Sequence, residues 1–218
     1  PRRCFLRADG QGLDRMKMFT WRFVRMWQRN RDVFLRLWHA EAPGFVAEPV
    51  LVLLAMGMGL GAYVGMVEGQ SYIEYIVPGI IASYGMFSAS FECTYGSFFR
   101  MEERKTYDAI IATPLNVEDV IAGEIFWGAT RAMLTGSGIL IVATIFQLVH
   151  SPWALLIPLL SFAGGVLFSS IAILYTSLVP SFYSFNYYFT LFITPMFFFS
   201  GVFFPLSNFP EIVGRISM

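Results

Sequence analysis

The sequence predicts an all-α integral membrane protein with five readable transmembrane helices. Only 14% of the 218 residues are charged, whereas 56% are hydrophobic and 17% are aromatic. A soluble globular domain carries about 25% charged residues. The apolar residues also form runs long enough for a helix to cross a hydrocarbon core about 30 Å thick. These runs are too long for strands and lack the alternation that strands show.

The apolar runs divide the chain into two parts, a cytoplasmic N-terminal segment at 1–46 and a transmembrane domain at 47–218. Span boundaries read from hydropathy are uncertain by a few residues. The predicted spans are 49–67, 73–99, 117–149, 153–179 and 182–204.

The distribution of basic residues predicts the orientation. Ten of the fifteen Lys and Arg residues precede the first span, and Arg100, Arg104 and Lys105 lie between the second and third. The loops after the first and third spans contain none. Because basic residues mark cytoplasmic loops, the N-terminus and the loop 100–118 are predicted to be cytoplasmic. A sixth span would be needed to return the chain from 205–218 to the cytoplasm.

A basic amphipathic helix is predicted at 16–40, ahead of the first span. Such a helix lies in the headgroup layer, with its arginines toward lipid phosphates. The alternative is a helix packed on a partner domain with solvated arginines. Pro43-Gly44 is predicted to end this helix. The apolar face consists of Phe19, Phe23, Met26, Trp27, Phe34, Leu37 and Trp38, and the basic face of Arg22, Arg25, Arg29 and Arg36.

The loop between the second and third spans is predicted to contain a short amphipathic helix at 103–112, stopped by Pro114. Asn116 is then expected to cap the third span, with Glu118 and Asp119 in its first turn, where the helix dipole favours acidic residues. A charged helix of this kind fits docking to a soluble partner, and equally an ordinary solvated loop.

Five segments, in order and at consistent spacing, resemble one family, the nodulation-type (NodJ-like) permeases of ABC exporters. Relatives in that family move lipo-oligosaccharides, polysaccharides or drugs. The resemblance covers the chain from about residue 21 onward. The segments are GMGLG at 57–61, FECTYGSF at 91–98, RMEERKTYDAI at 100–110, GEIFWGATR at 123–131 and TPMFFFSGVFFP at 194–205.

The resemblance implies a multi-pass permease of the bacterial cytoplasmic (inner) membrane, with six spans and two permease copies. It implies no cofactor in this chain, because ATP and Mg belong to a separate ATP-binding subunit. That subunit would contact the helix after the second span. The sixth span is missing from this sequence, so 205–218 would be a short outer re-entrant piece. The implied coupling residues are Glu102, Glu103, Arg104, Lys105, Thr106, Tyr107 and Asp108.

Gly57, Gly61 and Gly65 fall four residues apart on one face of the first span. Small residues at this spacing let helix backbones approach closely. The contact could join two permease copies in a homodimer or two helices of one subunit, and the sequence leaves both open.

Three charged residues, Glu92, Glu124 and Arg131, lie inside apolar runs. A charge at the centre of a membrane helix costs at least about 2.5–3.5 kcal/mol. A Glu92–Arg131 ion pair would offset two of these costs and brace the second and third spans; a proton relay is the alternative role. Glu124 is nearer the cytoplasmic end and is expected to extend toward the headgroups.

Aromatic residues make up twelve of the 24 residues at 181–204. They could line the path of an amphipathic substrate, or simply pack and face lipid. The candidate path residues are Tyr84, Phe91, Tyr95, Tyr183 and Tyr187.

Motifs for catalysis are absent from the sequence. There is no GxxxxGKS or GxxxxGKT loop for ATP, no HExxH and no clustered His or Cys, so neither an enzyme nor a metal site is predicted. A net charge of zero gives no reason to expect nucleic-acid binding. The competing functions are an ion-coupled secondary transporter, which predicts internal repeats, and a membrane transferase, which needs a carboxylate or His cluster.

Overall fold

The computed structural model describes residues 22–67, 69–103, 107, 116–149 and 151–202, without the side chains of 40–46 and 103. Helices dominate these ranges. The α-helices are α1 Phe23–Leu54, α2 Gly61–Val64, α3 Tyr72–Phe91, α4 Val117–Ile145, α5 Ile157–Leu178, α6 Phe185–Tyr188 and α7 Thr194–Phe199. A short antiparallel hairpin pairs β1 Met66–Val67 with β2 Gln70–Ser71. Wider π-helical turns occupy Ala55–Leu60, Glu92–Gly96, Phe99–Glu103 and Phe189–Ile193, and tighter 3-10 turns occupy Pro152–Leu156 and Phe182–Ser184.

Four helical stretches are long and apolar enough to cross a membrane. They are span 1 Ala47–Val64, span 2 Tyr72–Glu102, span 3 Val117–Ile145 and span 4 Pro152–Leu178. Each agrees with a predicted span to within a few residues, so the all-α membrane fold is confirmed.

The region of the fifth predicted span forms one helical stretch of changing pitch from Phe182 to Phe199. It is not among the four described stretches that are long and apolar enough to cross a membrane, so a fifth span stays a prediction. Its composition is more aromatic and less uniformly apolar than that of spans 1 to 4. The predicted end of this span and the segment 205–218 lie outside the described residues.

Helix α1 corrects the prediction of a break at Pro43-Gly44. The helix continues through both residues and runs directly into span 1. A proline inside a helix removes one backbone hydrogen bond and bends the axis. The many remaining hydrogen bonds of a 32-residue helix keep the chain helical on both sides.

The first half of the apolar face of α1 is covered by span 3 of the same chain. Met26 is 2% exposed and sits where a Cβ on Gly123 would come 2.8 Å from the Met26 Cγ. Trp27 donates from Nε1 to Thr130 Oγ1 at 2.9 Å. One part of the apolar face therefore packs against span 3 of the same chain and another part is exposed. Neither the interfacial helix nor the helix packed on a partner domain predicted this division. The large exposed apolar side chains further along α1 are Val33, Leu35, Leu37, Trp38 and Leu51.

Spans 3 and 4 pack through small residues, which allow close backbone contact. A Cβ placed on Gly165 of span 4 would lie 2.7 Å from Ala129 Cα. A Cβ on Gly136 of span 3 would lie 3.1 Å from Ser161 Cβ. The neighbouring Gly164, by contrast, has nothing within 4 Å of its Cβ position.

The three glycines of the first predicted span have different environments. A Cβ on Gly57 would lie 2.6 Å from Ile73 Cγ1, so Gly57 packs against span 2 of the same chain. A Cβ on Gly61 would lie 3.8 Å from Tyr72 Cδ1, an ordinary van der Waals contact. Gly65 has φ 70°, a left-handed conformation that ends the helix. Gly65 therefore does not extend the helix face, while a dimer contact through Gly61 stays a prediction.

Candidate functional site

Four charged side chains meet between spans 2 and 3, and we call them the charge network: Glu92, Arg100, Glu124 and Arg131. Arg100 bridges the two carboxylates, with Nη1 at 2.8 Å from Glu92 Oε1 and Nη2 in contact with Glu124 Oε2. The Nε atom of Arg131 lies 3.6 Å from Glu92 Oε2. Two carboxylates and two guanidinium groups give the charge network a net charge of zero.

Neutral donors complete the coordination of the two carboxylates. Trp127 donates from Nε1 to Glu92 Oε1 at 3.1 Å. Ser97 and Asn30 donate to Glu124, at 2.9 and 3.2 Å respectively. Buried charge is tolerated when it is paired and hydrogen-bonded. Because Asn30 belongs to α1, three helices hold the charge network together.

The structure brings Glu92 and Arg131 together, the two residues that the sequence paired. Their bracing role stays a prediction. The nearest counterion of Glu92 is Arg100, which the sequence analysis assigned to the cytoplasmic loop. Its side chain is only 16% exposed. The sequence could have indicated Arg100 as a partner of Glu92, because residues eight apart lie on the same side of a helix.

The structure contradicts the prediction that was made for Glu124. We expected this side chain to extend toward the headgroups, but it is 0% exposed. Burial is possible because Arg100, Asn30 and Ser97 all contact its carboxylate.

Widened π-helical turns surround the charge network on span 2. Glu92 begins one such turn and Arg100 lies in the next. Turns of this kind occur frequently at functional sites. Gly96 is the last residue of the first turn, and a Cβ there would come 3.1 Å from Glu92 Oε1. The glycine therefore leaves room for the carboxylate and its Arg100 partner.

A cavity of about 850 Å³ lies beside the charge network, bordered by α1, span 1, span 2, span 3 and the helical stretch from Phe182 to Phe199. This volume lies within the range of about 300–1,000 Å³ that is typical of small-molecule sites. Its aromatic lining consists of Phe34, Tyr84, Phe87, Phe91, Phe99, Trp127, Phe189 and Phe197. Its charged and polar lining includes Arg29, Asn30, Glu48, Ser88, Glu92, Arg100, Arg131 and Thr135.

Two of the five candidate path residues, Tyr84 and Phe91, line this cavity. The Tyr84 hydroxyl donates to Glu48 Oε1 at 3.5 Å. Tyr95 instead packs in an aromatic cluster, with ring centroids 4.8 Å from Phe91 and 5.1 Å from Phe185.

Tyr183 and Tyr187 are 85% and 64% exposed and do not line the cavity. The sequence analysis missed Phe87 and Phe189, whose rings stack 6.4 Å apart. Phe87 is three residues from Tyr84 and four from Phe91, so helical spacing could have identified it.

The described part of the predicted coupling segment adjoins the charge network. Glu102 is exposed at the end of span 2, and the backbone of Glu103 is helical. Burial, and then the nearby Glu124 carboxylate, hold the pKa of Tyr107 well above its usual range, so its phenol is neutral at physiological pH. Arg104, Lys105, Thr106, Asp108 and the rest of the helix predicted at 103–112 lie outside the described residues.

Comparison with known proteins gives a consistent picture. A family model described as ABC-2 type transporter matches residues 18–218. Nodulation protein J of Sinorhizobium fredii is 36% identical over 198 residues, which cover 90% of this chain and 75% of the relative. Nodulation protein J of Rhizobium leguminosarum bv. viciae is 38% identical over 198 residues, with 89% and 75% covered.

A more distant relative is the inner membrane transport permease YadH of Escherichia coli, 25% identical over 187 residues, with 85% and 72% covered. No solved structure matches the chain. The resemblance to NodJ-like permeases is thereby confirmed. The chain belongs to the ABC-2 type transporter family and is a permease subunit of an ABC transporter.

Proposed function

We propose that this permease is the membrane subunit of an ATP-driven exporter that moves an amphipathic molecule across the bacterial inner membrane. The substrate would be a lipo-oligosaccharide, polysaccharide, lipid or drug, and two identical copies would form the transport path. The observation that carries the proposal is the cavity beside the charge network, whose wall contains both aromatic and charged side chains.

Such a wall suits a molecule with one polar and one apolar part. Aromatic rings such as Phe87 and Phe189 give flat apolar surfaces, while Ser88, Thr135 and the charged groups can hydrogen-bond a polar part. One of the relatives is named an inner membrane transport permease, which supports a transport role for this chain.

The energy would come from a separate subunit that binds ATP and Mg. In this proposal the N-terminus is cytoplasmic and the ATPase docks on Glu102 to Asp108. This segment begins two residues after Arg100, which joins Glu92 on span 2 to Glu124 on span 3. Movement of the docked segment would therefore act on the contact between spans 2 and 3 and change access to the cavity.

Co-purification with the candidate ATPase in mild detergent tests the proposal. The test variant is Glu103→Arg with Asp108→Arg. The matched control is Glu68→Arg with Glu74→Arg, a double charge reversal in the loop predicted to lie on the opposite side. We expect the ATPase at equal stoichiometry with the native chain and the control, and its loss from the test variant while that variant stays monodisperse. Absence of ATPase from all three proteins would contradict the proposal.

The alternative is that an ion gradient drives transport by this permease, because two carboxylates lie buried between membrane helices. Export from cells separates the two functions. Depletion of ATP with the proton gradient intact stops an ATP-driven exporter, whereas a protonophore at constant ATP stops a proton-coupled one.

A further inference from the structure

The cavity has a chemical bias toward one class of polar group. Resting on the proposed function, we propose that Arg29 and Arg131 form a subsite for the anionic headgroup of an amphiphile, such as a phosphate, sulfate or carboxylate group attached to an apolar chain.

The first argument is the charge of the cavity wall. Three arginines line it, Arg29, Arg100 and Arg131, against two glutamates, Glu48 and Glu92. Glu124, the second partner of Arg100, is fully buried and is not part of the lining. The lining therefore includes three guanidinium groups, which can bind an anion through charge-assisted hydrogen bonds.

The second argument is how the charge network is held. Its carboxylates accept five hydrogen bonds without Arg131: Glu92 from Arg100 and Trp127, and Glu124 from Arg100, Asn30 and Ser97. The contact of Arg131 with Glu92 is 3.6 Å, longer than a good hydrogen bond. A ligand anion could thus engage Arg131 while both carboxylates keep at least two donors each.

The third argument is that Arg131 is preorganised. Its guanidinium carbon lies 5.1 Å from the centre of the Phe34 ring, a cation–π arrangement that fixes the side chain. The planar guanidinium group matches oxyanions through paired hydrogen bonds. Phe34 also lines the cavity, so the same ring can contact the apolar part of a bound amphiphile.

The fourth argument is depth. Span 3 has 29 residues and is about 43 Å long at a rise of about 1.5 Å per residue. A hydrocarbon core of about 30 Å takes about 20 of these residues. In the orientation predicted from the basic residues, and with Ile145 placed at the outer boundary, the inner boundary falls near Phe126. Arg131 then lies about five residues inside the boundary, just below the inner-leaflet headgroups, where the charged end of an amphiphile would enter.

Two fluorescent lipids with identical short chains test the inference, phosphatidic acid as the anionic probe and phosphatidylcholine as the zwitterionic one. Each is titrated into the purified full chain in neutral detergent, with binding followed by anisotropy. We expect the anionic probe to bind at least about tenfold more tightly, the effect of one charged hydrogen-bonded contact. Equal affinity for the two probes would overturn the inference.

Variants assign the preference to the subsite. Arg131→Gln and Arg29→Gln should each remove most of the preference for the anionic probe, and Arg131→Lys should retain part of it. Arg29 is outside the charge network, so Arg29→Gln should fold. This variant tests the subsite even if Arg131→Gln fails to fold. The control is Arg36→Gln, an exposed arginine of α1 that does not line the cavity. An equal loss in this control would point to a general surface charge effect and overturn the assignment.

Competition with inorganic phosphate separates a lipid headgroup from a free anion. Failure of phosphate to displace the probe supports an amphiphile as the ligand, and displacement by phosphate alone overturns that part of the inference. The proposed docking segment Glu102 to Asp108 contains neither Arg29 nor Arg131, so co-purification of the ATPase with the native chain is a separate measurement. Equal affinity of the native chain for the two probes, with the ATPase still bound, would therefore reject the subsite and leave the proposed function intact.

Discussion

Spans 2 and 3 are joined in different ways at their two ends. At one end an apolar cluster contains Ile76, Ile80 and Ile81 of span 2 with Ile139 and Ala143 of span 3. At the other end the charge network joins the same two helices through ion pairs and hydrogen bonds.

The apolar cluster and the charge network should respond differently to substitution of their residues. In lipid the surroundings are as apolar as the helix faces, so an apolar contact depends on shape and close packing. A buried ion pair is little more stable than an apolar contact of equal shape, but losing one partner leaves an uncompensated charge. We therefore expect the largest effects where a charge loses its partner and smaller effects where packing is disturbed.

Arg100→Met should have the largest effect, because it removes the cation shared by Glu92 and Glu124. Breaking a buried ion pair in this way costs about 3–5 kcal/mol. The measurement is unfolding of the purified protein in mixed micelles with increasing SDS, with Arg36→Met as an exposed control. Addition of Glu124→Gln to Arg100→Met should restore part of the stability. Unchanged unfolding of Arg100→Met would show that the charge network does not hold the helices.

Gly165→Ala should have the next largest effect. Its new methyl group would overlap the backbone of Ala129, and overpacking costs about 1–3 kcal/mol. Gly164→Ala is a matched control one residue away, where the methyl group meets open space. The same SDS titration should separate the two variants, and equal stabilities would contradict the close packing of spans 3 and 4.

Arg131→Met should lower the free energy of unfolding by about 1–2 kcal/mol. This effect is smaller than that of Arg100→Met because Glu92 keeps Arg100 and Trp127 as donors. Assembly and export should nevertheless fall. Full assembly and full transport in this variant would refute the bracing role of the Glu92–Arg131 pair.

Removal of the hydrogen bond between Trp27 and Thr130 should have the smallest effect on stability. A double-mutant cycle with Trp27→Phe and Thr130→Val should give a coupling energy of about 0.6 kcal/mol, the average for such bonds between membrane helices. Trp38→Phe, an exposed position on the same helix, is the control. A coupling of zero would mean that this hydrogen bond does not help to hold α1 on span 3.

The same contrast explains what the sequence could predict. Long apolar runs defined spans 1 to 4 because hydropathy depends on local composition. The cap of span 3 was also local: Asn116 precedes the helix and its backbone N–H donates to Asp119 at 3.4 Å. Glu92 and Arg131 stood out because charges inside apolar runs need partners.

Features that depend on distant contacts were not predicted. Arg100 follows an apolar run, so hydropathy placed it in a loop, although tertiary partners bury it. Glu124 was assigned to the headgroups because it is near the cytoplasmic end of the third span, although tertiary partners bury it as well. Pro43 was read as a helix break because its local preference is strong, while the rest of α1 keeps the chain helical. The cavity requires five helical segments at once, and no single run of residues encodes it.

The most direct test of the account is whether access to the cavity changes with the ATP cycle. Ser88→Cys places a thiol in the cavity lining, in a Cys4→Ser background in which Cys93 is buried. Inverted membrane vesicles containing the permease and its ATPase are treated with a water-soluble maleimide, and Arg36→Cys outside the cavity is the control. We expect Ser88→Cys to react without nucleotide and to be protected several-fold by a non-hydrolysable ATP analogue, with no change at position 36. Labelling at position 88 that is unaffected by nucleotide would contradict the account.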